Sequence, residues 1–274
     1  IRMVERLVSG AIALCLVVGA IVWGGRFGLE LVVALVVLVG LDEWCRMTAK
    51  ESYRTVFPVL AITGLGFYSA MVWGEPSWGW PVMGVSVLSI LCYGLLGVAD
   101  TREAARQIQC MLSGLLYLPG LLIFIPWIRN DLGLDWVFLF LVVTWCGDTG
   151  AYFAGRAFGR RKLFERISPK KTWEGAFGGF LLSIVGAFVM WTVASRFQSG
   201  QLEAIEWFHI AILGGLINVS GVIGDLTESL FKRANGVKDS GWIMPGHGGI
   251  VDRVDSLLFT APVTWLYAYG MGFC

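Results

Sequence analysis

Two stretches, "GDLTESLFKRANGVKD" at 224–239 and "PGHGGIVDRVDS" at 245–256, crowd charge between the last two apolar runs of the chain. Asp225, Glu228, Ser229 and Lys232 fall at offsets of three, four and seven, the spacing of one helical face. A lone carboxylate near a bilayer centre costs roughly 2.5–3.5 kcal/mol on insertion scales. Two on one face therefore require a cation, a partner or water. The plainer alternative is a helix end among lipid headgroups, with Glu228 and Lys232 as an i,i+4 ion pair. It suits Asp225, a turn deeper, less well.

In the second stretch Gly246, Gly248 and Gly249 free the backbone to approach a ligand closely. Asp252 and Asp255 stand three apart at the start of the last apolar run, so both can project to one side of a helix. Acids at a helix start also suit the macrodipole, which is their ordinary explanation. With Asp225 they form three hard oxygen ligands from two adjacent elements. Mg²⁺ usually takes one or two carboxylates plus substrate phosphates, so it fits such a set. His247 reads equally as a loop histidine. Zinc is disfavoured, because the only other histidine, His209, falls toward the opposite side of the membrane.

A third group is "SPKKTWEG", 168–175. Pro169 after Ser168 predicts a helix first turn behind a serine cap. Lys170, Lys171 and Thr172 near that start could hold phosphate oxygens through ammonium, hydroxyl and backbone N–H groups. The bland account is the inside bias of basic residues or contact with anionic lipid heads, which covers Arg160, Arg161 and Lys162 well. No Walker A pattern occurs. Asp148, within "WCGDTGAYFAG", is a fourth acid in an apolar run and is expected to face the same cavity.

The elements that must position these groups are membrane helices. The 274 residues are 56% apolar and only 15% charged, against about 25% charged in ordinary soluble domains. Nine apolar runs approach the roughly 20 residues that cross a bilayer as a helix. They are 4–23, 27–41, 55–73, 79–99, 111–128, 134–154, 174–195, 207–231 and 254–272. With the N-terminus inside, eighteen of the 21 lysines and arginines fall on the cytoplasmic side, leaving only Arg26, Arg129 and Arg196 outside. The charged stretches then face the cytoplasm. The net charge of +1 says nothing of an acidic partner, and no nucleic acid is expected. The six cysteines show neither zinc spacing nor a disulfide pattern and read as small buried hydrophobes. No cleavable leader stands out, and the chain begins at Ile1, which leaves open that residues precede it. The expected fold is an all-α integral membrane protein. Residues 1–130 form N-terminal helices and 131–274 a C-terminal catalytic region, within one membrane-embedded unit.

The string "SLFKRANGVKDSGWIMPGHGGIVDRVD", 229–255, resembles the C-terminal signature of phosphatidate cytidylyltransferases, the CDP-diacylglycerol synthases. "GDLTE", "GDTGAYFAGRAFGRRKL" and "SPKKTWEG" are similar to that family as well, so the close resemblance covers about residues 145–260. It implies a reaction of CTP with phosphatidic acid giving CDP-diacylglycerol and pyrophosphate, requiring Mg²⁺. A second, monovalent cation is left open. It also implies a homodimer in the inner membrane with its site toward the cytoplasm. By this resemblance Asp225 and Asp252 are metal ligands, supported by Asp255 and Asp148. Lys170, Lys171, Lys232, Arg233, Lys238 and Arg253 gather phosphates. Asp225, Asp252, Lys171, Lys232 and His247 form the implied catalytic set, His247 as a positioning group or a proton donor to the leaving group. Ser168, Thr172, Glu174, Glu228, Ser229, Asp239, Gly248 and Gly249 complete the substrate contacts. Two rival readings are a polyprenyl-type lipid-phosphate transferase and an ion-coupled transporter. The transporter should show opposed half-helices or an internal repeat, and none is visible.

Overall fold

The computed structural model describes residues 18–19, 22–197, 201–243 and 248–274. Apart from one small hairpin, the regular elements among the described residues are helical. The chain divides into two compact units. One takes the described residues up to Pro126 together with Asn235–Arg253; the other takes Trp127–Ala234 with Val254–Cys274.

In the first unit the long helices are α1 (Gly25–Thr48), α2 (Tyr53–Val72), α3 (Gly79–Gly97) and α4 (Thr101–Tyr117). Leu41, Leu60, Met111 and Leu115 are fully buried. The Trp44 indole of α1 donates to the Cys110 carbonyl of α4 at 3.0 Å. Gly114 permits that approach, since a Cβ there would come within 2.8 Å of the Trp44 ring. α4 begins ten residues before the apolar run that announced it. Asp100 caps it by accepting from the Glu103 amide at 2.8 Å, so the charged turn joins the helix. Beyond Tyr117 the path continues in short turns around Pro119 and Pro126 as far as Leu132.

The second unit holds α5 (Leu134–Phe158), β1 (Lys162–Phe164), β2 (Ser168–Thr172), α6 (Trp173–Phe197), α7 (Trp207–Ala234) and the greater part of α8 (Val251–Gly270). Glycines set how closely α5 and α6 pack. A Cβ on Gly150 would meet the Gly178 carbonyl at 2.7 Å, and one on Gly179 the Gly147 carbonyl at 2.7 Å. Small residues at such seams let backbones approach in lipid, where packing rather than hydrophobic expulsion drives association.

Among the described residues, six helical stretches are long and apolar enough to span a membrane: Lys50–Val72, Gly79–Gly97, Thr101–Leu132, Leu134–Phe158, Trp173–Arg196 and Trp207–Ala234. Leu95 and Leu96 are about four-fifths exposed (79% and 83%), and Ile62 is 74% exposed. Apolar side chains that stay bare on helices of spanning length are what a lipid-facing surface requires. α1 and α8, also expected as spans, are helical but interrupted by charge: Glu30, Asp42 and Glu43 in α1, and Asp252, Arg253 and Asp255 in α8. The first expected span, 4–23, lies almost wholly outside the described residues.

The largest local departure from expectation is at "SPKKT". Ser168 does not cap a helix. Ser168–Thr172 is a strand paired antiparallel with Lys162–Phe164, with Lys162 opposite Thr172 and Phe164 opposite Ser168. A two-stranded ribbon consists only of edges, and an edge tolerates Pro169 without its N–H. The cap comes four residues later: the buried Thr172 hydroxyl accepts from the Gly175 amide at 3.1 Å and α6 starts at Trp173. Thr172→Val should therefore cost about 1 kcal/mol, lowering the melting temperature by about 2–4 °C, while Thr172→Ser should not. Thermal unfolding of the purified protein in detergent checks this.

Candidate functional site

The phosphate-handling groups expected from the sequence are distributed over both units. In the second unit, Lys171 at the end of β2 reaches Asp225 of α7, Nζ to Oδ2 at 2.6 Å. The Ser229 hydroxyl, one turn on, points to Asp225 Oδ1 at a long 3.4 Å. Asp148 of α5 lies within electrostatic range of both Asp225 and Lys171. Asp255 of α8 lies within range of Asp225, Asp148 and Lys232. Lys232 forms an ion pair with the buried Glu228, so the i,i+4 pairing expected from spacing alone does form. Four carboxylates and two ammonium groups thus occupy one neighbourhood, with two formal negative charges in excess.

The packing of α7 on α8 fixes that neighbourhood. A Cβ at Gly224, next to Asp225, would lie 2.5 Å from the Asp255 carbonyl oxygen. The obstacle is backbone, so Gly224→Ala must force the helices apart. A displacement near 1 Å costs up to ~10²-fold in rate. Gly224→Ala should thus lower turnover by roughly 10- to 100-fold in protein that still elutes as a single species, measured as nucleotide-dependent pyrophosphate release.

The hairpin is held by Glu174, whose carboxylate accepts from the backbone amides of Arg160 at 3.0 Å and Arg161 at 3.2 Å. Glu174 and the Thr172 hydroxyl, both expected at a substrate, are thus engaged in building the hairpin and the start of α6. Ser168 pairs within the ribbon, and Lys170 stays exposed on it. Beside the hairpin runs a groove of about 910 Å³ walled by Phe158, Trp173, Phe177 and Leu181, with Arg160 and Arg161 on its lining. Arg233 is exposed at the end of α7.

In the first unit, Asp252 Oδ2 accepts from the Ser240 amide at 2.9 Å, the Ser240 hydroxyl at 2.9 Å and the Gly249 amide at 2.8 Å. This oxygen is committed to shaping the backbone around it. Gly248 has φ +85°, and a Cβ there would lie 2.6 Å from the same oxygen. Lys238, Asp239 and Arg253 are exposed. His247 lies outside the described residues. Sequence reading missed Glu43, which is 1% exposed and accepts from Ser240, Ile250 and Val251. Its only signal was an acid just past the end of the 27–41 apolar run.

Among the described residues, no three histidine, cysteine or acidic side chains form a ready-made metal cage. The charge excess around Asp225 nonetheless suits one divalent cation. Mg²⁺ takes few protein carboxylates and completes its shell with water and phosphate oxygens.

Helices of spanning length, with acids and lysines gathered where α7 and α8 meet, define an integral membrane protein. The chain belongs to the Cytidylyltransferase family, whose sequence profile matches residues 4–270. It is 34% identical to the phosphatidate cytidylyltransferase of Pseudomonas aeruginosa over 94% of this chain and 96% of that protein. It is 31% identical to that of Thermotoga maritima over 86% of this chain and 85% of the relative. The phosphatidate cytidylyltransferase of Haemophilus influenzae is 42% identical over 47% of this chain, a match spanning 44% of that relative.

Proposed function

We propose that this protein is a phosphatidate cytidylyltransferase, which joins CTP to phosphatidic acid and releases pyrophosphate. The observation that carries the reading is the neighbourhood of Asp148, Lys171, Asp225 and Asp255 in a membrane-helical unit. Family membership and the names of the relatives support it. The groove beside the hairpin, mostly apolar with Arg160, Arg161 and Glu174 on its lining, suits the acyl chains and phosphate of a lipid substrate.

The attacking group is a phosphate monoester of the lipid. Its second pKa is about 6, so it is already charged near neutral pH and needs no strong general base. Catalysis then consists of alignment and charge neutralisation while the oxygen attacks the α-phosphorus and pyrophosphate leaves. Lys171 and Lys232, each seated beside an acid, present ammonium groups to phosphate oxygens. Lys170, Arg233, Lys238 and Arg253 extend that field. Asp225 and Asp255, with Asp148 in support, would hold Mg²⁺. The family resemblance would add Asp252 as a ligand, and its Oδ2 serves the backbone of its own loop. When bound, the ion supplies neutralisation of phosphate charge. His247 positions the leaving group or gives it a proton. In this reading nine helices span the inner membrane, the N-terminus and the site face the cytoplasm, and two copies associate.

The test uses purified protein in mixed micelles of phosphatidic acid with each nucleoside triphosphate. Pyrophosphate release that needs both CTP and phosphatidic acid is expected. Release with every nucleotide alike, or transfer to a polyprenyl phosphate instead, would overturn the reading, as would ion flux into proteoliposomes without nucleotide consumption.

A further inference from the structure

Glu43 sits near the end of α1, far in sequence from every group so far assigned a role. The preceding residue, Asp42, behaves as a surface acid, pairing with Arg46 at 2.7 Å and with the Tyr53 hydroxyl. Glu43 does the opposite. It is 1% exposed, and among the described residues it has no lysine or arginine within ion-pair distance. Among the described residues its partners are N–H and O–H donors. Oε1 accepts from the Ile250 amide at 2.9 Å, and Oε2 from the Val251 amide at 3.0 Å and the Ser240 hydroxyl at 3.0 Å.

These donors are special. Ile250 and Val251 carry amide groups at the very start of α8, which have no partner within their own helix and sit at its positive end. A carboxylate from α1 therefore caps α8 across some 200 residues of chain. The space for it is made by glycine: a Cβ at Gly241 or Gly249 would collide with the Glu43 carboxylate. Ser240 Oγ lies between Glu43 Oε2 and Asp252 Oδ2, at 3.0 and 2.9 Å. Its single hydrogen serves one acid at a time, so the two carboxylates and this hydroxyl form one coupled clamp. Burying an acid is costly, and a well-packed apolar pair would often be the more stable choice. A stability role alone accounts poorly for it.

We infer that Glu43 is a positioning residue for the transferase reaction: it sets the first turn of α8, and with it Asp252, through Ser240, Ile250 and Val251. It touches no substrate. The inference rests on the functional reading above, because that reading gives Asp252 its role.

The experiment compares Glu43→Gln, Ser240→Ala and the double variant with the unaltered full chain in detergent micelles. It records kcat and KM for CTP and for phosphatidic acid, melting temperature, and backbone hydrogen exchange. Gln keeps the size but offers one acceptor where two are used, so an α8 amide loses its partner. The expected result for Glu43→Gln is kcat/KM for CTP lower by roughly 10- to 100-fold. Exchange should rise at Ile250 and Val251 and not across the remaining helices. The double variant should lose little more than the worse single one, as members of one network do. Kinetic constants within twofold of the unaltered protein would overturn the inference, as would losses that only track the fraction of folded protein. So would fully additive effects. If Glu43→Gln does not fold, Ser240→Ala alone decides by the same kinetic and exchange criteria. If the unaltered protein shows no turnover of CTP, the functional reading fails, and local exchange still reports whether Glu43 holds α8.

Discussion

Asp225→Asn should leave a folded membrane protein whose turnover falls on the order of 10²–10³-fold, the usual loss when a preorganised charge is removed from a reacting centre. Asn keeps the shape of the side chain and deletes its charge. That charge orients Lys171 at 2.6 Å and stands beside Asp148 and Asp255. Stability is the competing explanation, and its magnitude is too small. The side chains of Lys171 and Asp225 keep 23% and 33% of their exposure, and partly exposed ion pairs are worth about 0–1 kcal/mol. A loss of that size leaves most molecules folded. Lys171→Met serves as the partner variant, and should slow turnover while leaving Asp225 in place. Pyrophosphate release at saturating CTP and phosphatidic acid, with melting temperature in parallel, separates the two explanations. A variant at position 225 that kept half the original rate would remove this acid from the mechanism.

The second large effect is expected at Gly248. Its φ of +85° lies in the left-handed region, and a Cβ would lie 2.6 Å from Asp252 Oδ2. Gly248→Ala thus combines backbone strain of roughly 1–2 kcal/mol with displacement of the carboxylate that gathers Ser240 and Gly249. Turnover should drop by roughly 10- to 100-fold, the scale of an ångström misplacement. Gly66→Ala and Gly84→Ala are the controls. Both positions lie within helices, a Cβ there meets nothing within 4 Å, and the change should be neutral or stabilising by about 0.5–1 kcal/mol. Equal effects at Gly248 and at the controls would show that the Asp252 loop tolerates the perturbation.

The contrast between glycines marks a boundary of sequence reading. Thirty-six glycines in an apolar chain suggest close helix packing as a class. Nothing in the letters separates Gly224, pressed against the Asp255 carbonyl, from Gly66, which faces open space. That difference exists only once a second helix is in place.

The hairpin shows a similar limit. Ser-Pro is a fair helix-start signal, yet Thr-Trp-Glu-Gly contains an equally good cap in Thr172. Pairing with Lys162–Phe164, a tertiary event, decided between them. Asp225, Glu228 and Lys232 were legible because helix periodicity is local and fixes which side chains share a face. Asp148 was legible as an acid out of place. Glu43 was not, because it lies beyond the 27–41 apolar run, between Asp42 and Arg46, where charge is ordinary.

Sequence alone determined that the chain is helical and membrane-embedded, and that the charged residues singled out as a candidate site lie after residue 145. Those conclusions follow from hydropathy, charge placement and short spacings, all properties of contiguous residues. Tertiary structure alone decided that Lys171 pairs with Asp225, that Thr172 rather than Ser168 starts α6, and that a carboxylate on α1 caps α8. Each of these joins groups 54 to 208 residues apart, or chooses between two equally good local signals. Helix periodicity carries no information over such distances; only packing does.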